Sequence, residues 1–330
     1  MTNNKINIKE IISGHNGTIP EHGWDKIFDG PLPDTSPVIE GQIETPGQNS
    51  INRFKLLYLP VIDRYFDDKK SLRILELGAG LGNATYGSLE LIKPALHIAS
   101  EPFTSLLGTL RNNMDSWGYE WPRGIVAAYD ANYKVNLMTN SVNLVLGNSV
   151  LHHILHWKEC LSDLAGILDK RGLMLFGEPS YESWSYIITL IRAMLQQQAH
   201  KQRSATSIFG ISTKNCCLSK SSCENLERFV RNLEIRIKRK NDTEFLEKLE
   251  DKHLFSIPDL VEFDDSQDMY FHVENMKEDF KKSFINKIRS QLETNDDVKL
   301  AEEFVENVVP PGISDCILGN PFMIFSFYKA

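Results

Sequence analysis

The chain has 330 residues, 42% of them apolar, and a formal net charge of −8. That length suits one large domain or a domain with a sizeable insertion, and the acidic balance without a basic stripe speaks against nucleic acid as a partner. No window approaches 18 uninterrupted apolar residues and the N-terminal MTNNKINIKE has no apolar h-region, so no membrane segment or secretory signal is expected and the chain reads as cytoplasmic.

Residues 1–50 are rich in turn formers, with Pro20, Pro31, Pro33, Pro37 and Pro46 set among glycines. They read as an extended arm draped over the body and pinned by Trp24, Ile27 and Phe28. The run NSINRFKLLYLPVIDRYF then reads as a short amphipathic helix. From 72 to 178, strand-like runs (RILELG, LHIASE, IVAAYD, NLVLGN, LMLFGE) alternate with helical ones such as WKECLSDLAGILDKRG. This rhythm predicts a parallel, doubly wound sheet. Its strands are continuously apolar, as strands covered on both faces must be.

After Glu178 the rhythm stops. WSYIITLIRAML reads as a helix, and ENLERFVRNLEIRI places Leu226, Phe229, Val230 and Leu233 along one helical face. Asp251, Lys252 and His253 fall where this helical stretch rejoins the core. DMYFHVE reads as a strand, MKEDFKKSFINKIRSQL as a helix with Phe280, Phe284, Ile288 and Leu292 four apart, and PFMIFSFYKA as a closing strand. The expected architecture is α/β: a Rossmann-like, mostly parallel sheet of seven strands. An N-terminal arm (1–50) precedes the ligand-binding core (51–179) and a helical cap (180–255). The C-terminal part of the core (256–330) carries the final strands and an inserted helical segment. Cys160, Cys216, Cys217, Cys223 and Cys316 are odd in number and mostly scattered, which suits a reducing compartment. The run CCLSKSSC lacks paired C-x-x-C spacing and a nearby histidine, so no metal is expected.

The stretch RILELGAGLGNAT, residues 73–85, drops from an apolar strand into Gly78, Gly80 and Gly82. Such glycines mark a backbone that turns sharply and stays bare for close approach. The dinucleotide pattern G-x-G-x-x-G/A puts Asn83 in its third slot, where a small residue is needed, and no G-K-[ST] follows for a phosphate loop. Glu76 at the strand end is awkward for a pyrophosphate and suits a ligand bearing an ammonium group. The ligand is therefore expected to be cationic or zwitterionic.

At this point the chain resembles the class I S-adenosylmethionine-dependent methyltransferases, over roughly residues 50–178. The resemblance rests on four motifs in order: ELGAGLG (76–82), Glu101 in HIASEPF, Asp130 in AAYDA, and LVLGNSVLHHI (144–154). Glu101 lies 19 residues past Gly82, close to where a ribose-gripping carboxylate belongs. By resemblance, Asp130 accepts from the adenine amino group. The implied cofactor is S-adenosylmethionine, held by Glu76, Gly78, Ala79 and Gly80, by Glu101 and Pro102, and by Asp130, Ala131 and Asn148. The loop NSVLHHI resembles one in which methyltransferase domains of polyketide synthases place a catalytic histidine. This points to His152 as base, with His153 beside it and Glu178 able to orient a histidine or grip an acceptor. Tyr181 and Trp184, at the entrance to the cap, are candidates to bind the acceptor.

Taken singly, Glu101 and Asp130 also suit strand-end caps, and Tyr181 and Trp184 also suit helix packing. The function expected is methyl transfer to a small-molecule acceptor, of the secondary-metabolite type, with the acceptor atom and oligomeric state open. A nicotinamide-dependent oxidoreductase and a non-catalytic S-adenosylmethionine-binding accessory protein stand beside it as alternatives.

Overall fold

The computed structural model describes residues 28–29, 46–118, 125–127, 134–135, 137–207, 217–249, 252–274, 280–309 and 322–330. Seven strands form one sheet in the order β4–β3–β2–β6–β7–β9–β8. Five run parallel: β2 (Arg73–Leu77), β3 (Leu96–Ser100), β4 (Ile125–Ala127), β6 (Val142–Asn148) and β7 (Leu168–Pro179). The last in sequence, β9 (Phe322–Tyr328), lies antiparallel between β7 and β8 (Tyr270–Glu274). The strand order reverses between β2 and β6, and the crevice outside such a switch point is where open α/β sheets bind ligands.

Alternation along the strands explains why they read as unbroken apolar runs. Leu75, Leu77, Val145, Met174, Phe176, Phe325 and Phe327 fill the core on one face. Ile74, Leu144, Leu146, Leu173, Leu175 and Ile324 fill the other. The first face is covered by α5 (Trp157–Ile167) and α9 (Ile257–Gln267), which contribute Leu161, Leu164, Leu260 and Phe263. The second is covered by α1 (Gln48–Leu57) and α2 (Leu59–Tyr65), through Phe54, Tyr58, Val61 and Ile62. The single helix expected over this stretch is broken in two because Pro60 stands in the first turn of α2, where its missing N–H costs nothing.

Helices α3 (Asn83–Leu91) and α4 (Thr104–Ser116) follow β2 and β3. Of the arm expected over 1–50, the described parts are β1 (Phe28–Asp29), which pairs antiparallel with β5 (Lys134–Val135), and residues 46–50, the last three of which already open α1. Trp24 and Ile27 lie outside the described residues. No helix among the described residues is long and apolar enough to cross a membrane.

The cap differs from its expected bounds. Its own core joins α6 (Tyr181–Ser207) and α7 (Lys220–Lys238) to α10 (Phe280–Ile288) and α11 (Asn295–Val308), through Ile187, Ile191, Leu226, Val230, Phe284, Ile288, Ala301 and Phe304. The helical segment expected within 256–330 therefore belongs to the cap. The apolar stripes of α6 and α7 need more partners than each other, and α10 and α11 supply them. Between these pieces lie the short helix α8 (Thr243–Glu247), α9 and β8.

Candidate active site

The turn after β2 is set by its glycines. Gly78, Gly80 and Gly82 have φ of 60°, 56° and 96°, a left-handed region that costs glycine little. Ala79 N–H donates to Ser100 O at 2.9 Å and Gly82 N–H to Ala79 O at 2.8 Å, which ties the turn to β3. The glycines differ in purpose. A Cβ on Gly82 would stand 2.6 Å from Leu110 Cδ1 and 2.8 Å from Trp117 Cη2, so that glycine permits close packing. A Cβ on Gly80 would meet nothing within 4 Å. Gly80 thus faces open space, the cradle a ligand needs.

Glu101 closes the same turn from the end of β3, and Pro102 follows it. The side chain is 3% exposed; its Oε2 accepts the Gly80 N–H at 2.8 Å and its Oε1 the Phe103 N–H at 3.1 Å. Burial pushes the carboxyl up to about 7, against the two N–H donors and with help from the nearby Glu76 charge. Two N–H bonds leave acceptor capacity on both oxygens, which is what vicinal hydroxyls require.

Glu76 departs from its expected role. Its Oε2 accepts the Thr85 hydroxyl at 2.7 Å and lies 2.7 Å from His97 Nε2; His97 Nδ1 in turn lies 3.1 Å from Ser88 Oγ. All four side chains are buried. Alternation turns Glu76 inward beneath α3, and a buried carboxylate must find donors there. It braces the strand under the turn in place of gripping an ammonium group. Asp130 and Ala131 lie outside the described residues.

Asn148 ends β6, and the Tyr58 hydroxyl donates to its Oδ1 at 2.8 Å. The chain then turns at Ser149, whose φ is 56° and whose N–H donates to Gly177 O at 2.8 Å. The buried carboxylate of Glu178 organises the next three residues. Its Oε1 accepts the N–H groups of Val150 and Leu151 at 2.9 and 2.8 Å, and its Oε2 lies 2.6 Å from His152 Nδ1. A carboxylate at that distance favours the tautomer with its proton on Nδ1. Glu178 thus holds the His152 ring in place through Nδ1. The His153 ring lies alongside, 4.0 Å from that of His152 at 39°.

The structure brings together Gly78, Ala79, Gly80, Glu101, Asn148, His152 and Glu178 at strand ends β2, β3, β6 and β7. The two aromatic candidates make contacts of different kinds. Tyr181 N–H donates to Phe255 O at 2.9 Å, and its ring lies 5.2 Å from Lys240 Nζ. Trp184 packs against the cap core, 6.1 Å from the Phe229 ring and 5.7 Å from Lys287 Nζ. A cavity of about 360 Å³ lies nearby, lined by Leu155, His156, Trp157, Lys240, His253 and Phe255 among others. It adjoins the His152 turn, because His152 O accepts the N–H groups of Lys252 and His253 at 2.7 and 3.1 Å. Burial holds the His253 imidazole below its ordinary value, and its Nε2 lies 3.0 Å from Leu155 O. Asp251 lies outside the described residues. Sequence reasoning gave no role to Tyr58 or His97: Tyr58 stands in an apolar run with no motif around it, and His97 opens HIASEPF, whose signal is the carboxylate of Glu101. Only the fold puts Tyr58 beside the Asn148 amide and His97 beside the Glu76 carboxylate.

No protein-family model matches the chain, and no curated protein matches it. Solved structures resemble it at low identity. One is the YcgJ protein from Bacillus subtilis, at 12% identity and a TM-score of 0.44 over 86% of this chain and 99% of that one. A second is phosphoethanolamine N-methyltransferase 2 of Haemonchus contortus in complex with S-adenosyl-L-methionine, at 15% identity and a TM-score of 0.46 over 87% of this chain; the match spans 53% of that protein's chain. A third is an S-adenosylmethionine-dependent methyltransferase from Mesorhizobium loti, at 13% identity and a TM-score of 0.44, covering 82% of this chain and 96% of that one. At these values no residue role passes from those proteins to this chain.

Proposed function

We propose that the chain transfers a methyl group from S-adenosylmethionine to a small-molecule acceptor. The observation that carries this reading is the Glu178-held His152, 2.6 Å from carboxylate to Nδ1, at the end of the strand next to the glycine turn. A base and a bare turn thus share one switch-point crevice.

The residues present fit the cofactor. The open side of Gly80 gives room for its chain, Glu101 offers acceptor lone pairs to ribose hydroxyls, and Asn148 offers an amide at the strand end. The resemblance adds Asp130 and Ala131 for the adenine. When bound, the cofactor supplies an activated methyl group on a sulfonium, already joined to a good leaving group. The chain's own part is alignment and exclusion of water, which contribute several kcal/mol, together with removal of any proton the acceptor must lose. His152 Nε2 is the group that takes that proton, and Glu178 holds the ring that receives it.

Two measurements test this. Calorimetry with S-adenosylhomocysteine should give micromolar or tighter binding. Incubation with methyl-labelled S-adenosylmethionine and extract of the source cell should give a labelled small molecule by mass spectrometry. Binding of NADH without S-adenosylhomocysteine would reverse the reading in favour of an oxidoreductase. Cofactor binding with no product across a broad acceptor panel would leave an accessory protein.

A further inference from the structure

Tyr58 stands at the break between α1 and α2. Its ring is buried with Phe54, Ile62, Ile74, Leu144 and Ile324. Its hydroxyl reaches the carboxyl edge of the sheet and donates to Asn148 Oδ1 at 2.8 Å. Strand β7 leaves room for both groups: a Cβ on Gly177 would stand 3.0 Å from Asn148 Oδ1 and 3.4 Å from the Tyr58 hydroxyl oxygen. Burial raises the Tyr58 pKa, and the charges of Glu178 on β7 and Glu76 on β2 raise it further, against the opposing effect of Arg53. The hydroxyl therefore stays protonated and stays a donor.

With the Tyr58 hydroxyl on Oδ1, the other end of the amide faces the crevice. The Asn148 Nδ2 is turned away from Tyr58 and donates to Ser149 Oγ at 3.5 Å, a long bond that leaves its second N–H for a ligand. Asn148 is half-buried and so within reach of a ligand. Gly147 pairs with Leu77 across β6 and β2, so Asn148 is level with Gly78 and the start of the glycine turn. An amide with fixed N–H donors at that level suits an anionic group at the same end of the ligand.

We infer that Tyr58 is a positioning residue, which holds the Asn148 amide so that its N–H donors bind a carboxylate of the ligand at the glycine turn. This rests on the methyl-transfer reading for the identity of that carboxylate, the amino-acid end of S-adenosylmethionine. Phenylalanine and tyrosine share a ring, so Tyr58→Phe removes the donor and keeps the packing.

Two probes separate the role from mere structure: S-adenosylhomocysteine, which has the carboxylate, and methylthioadenosine, which lacks it. Tyr58→Phe should weaken S-adenosylhomocysteine about tenfold and leave methylthioadenosine unchanged. Asn148→Ala should do the same, and the double variant should lose no more than either. Equal weakening of both probes, or of neither, overturns the inference. Hydrogen exchange of the Asn148 side-chain amide, followed by NMR, reads the orientation without any ligand. Exchange should quicken in Tyr58→Phe; unchanged exchange overturns the inference. If the wild type binds neither probe, the methyl-transfer reading fails, and the amide exchange alone decides whether Tyr58 orients Asn148.

Discussion

Glu101 is poised to change charge near neutrality. Folded, it holds its proton up to about 7, well above the 4.5 of an ordinary glutamate. Whatever stability that proton supports is complete below 4.5 and is lost as pH rises through 7. On the methyl-transfer reading, ligand binding runs the other way. Hydroxyls that donate to the carboxylate favour its charged form, so binding expels the proton and strengthens as pH rises. S-adenosylhomocysteine should bind about tenfold tighter at pH 8 than at pH 6, and Glu101→Gln should flatten the profile. Calorimetry at the two pH values reads both; a flat wild-type profile would remove Glu101 from the ligand. His152 makes a separate claim. If the acceptor must lose a proton, His152→Ala should lower turnover about 10²–10⁴-fold with cofactor affinity nearly intact. Glu178→Gln should also slow turnover, through loss of the tautomer it favours. Near-wild-type turnover for His152→Ala and a crippled His153→Ala would move the base one residue along.

The glycine turn and the helices around it behave as one element. Gly80→Val places a branched side chain at φ 56° and in the open cradle, so cofactor binding should vanish while the thermal midpoint shifts by a few degrees. Retained micromolar affinity would reassign the turn. Gly87 in α3 is bare for a different reason: a Cβ there would stand 2.4 Å from Phe54 Cβ, where α1 crosses α3. The overpacking cost of about 1–3 kcal/mol, set against the roughly 1 kcal/mol that alanine gains as a helix former, should leave Gly87→Ala destabilised by up to about 2 kcal/mol. Chemical denaturation checks the sign. The sequence made the turn itself legible, because three glycines in register are a local signal. The crossing of α1 over α3 was not legible, since Phe54 and Gly87 are far apart in the chain and nothing local pairs them.

For the whole molecule, the question is how the cap is fixed. Asp297, buried at the start of α11, accepts the Ser219 N–H at 2.7 Å, the Ser222 hydroxyl at 3.0 Å and the Thr294 hydroxyl at 2.8 Å. It ties the N-terminal end of α7 to that of α11, across two distant stretches of chain. Burial alone would raise its pKa, but these hydrogen bonds outweigh it and hold the carboxyl below the ordinary 3.8. The stability it gives is therefore present above 3.8 and lost as pH falls through the lower folded value. Asp297→Ala should cost the protein about 1.5–3 kcal/mol, with the cap unfolding before the sheet, as Trp184 fluorescence would show. A single unfolding step at wild-type stability would deny Asp297 that role. The sequence by itself determined the sheet: its strands, their continuously apolar character and the glycine turn are local patterns, written in neighbouring residues. It also marked Glu101, His152 and Glu178, because each ends a strand or follows one. Only the tertiary structure decided that Glu76 faces the core, that Glu178 serves His152, that Tyr58 reaches Asn148 and that the cap is built from two segments. Each of those depends on side chains far apart in sequence, and burial makes their polar groups seek partners that only the folded chain brings within reach.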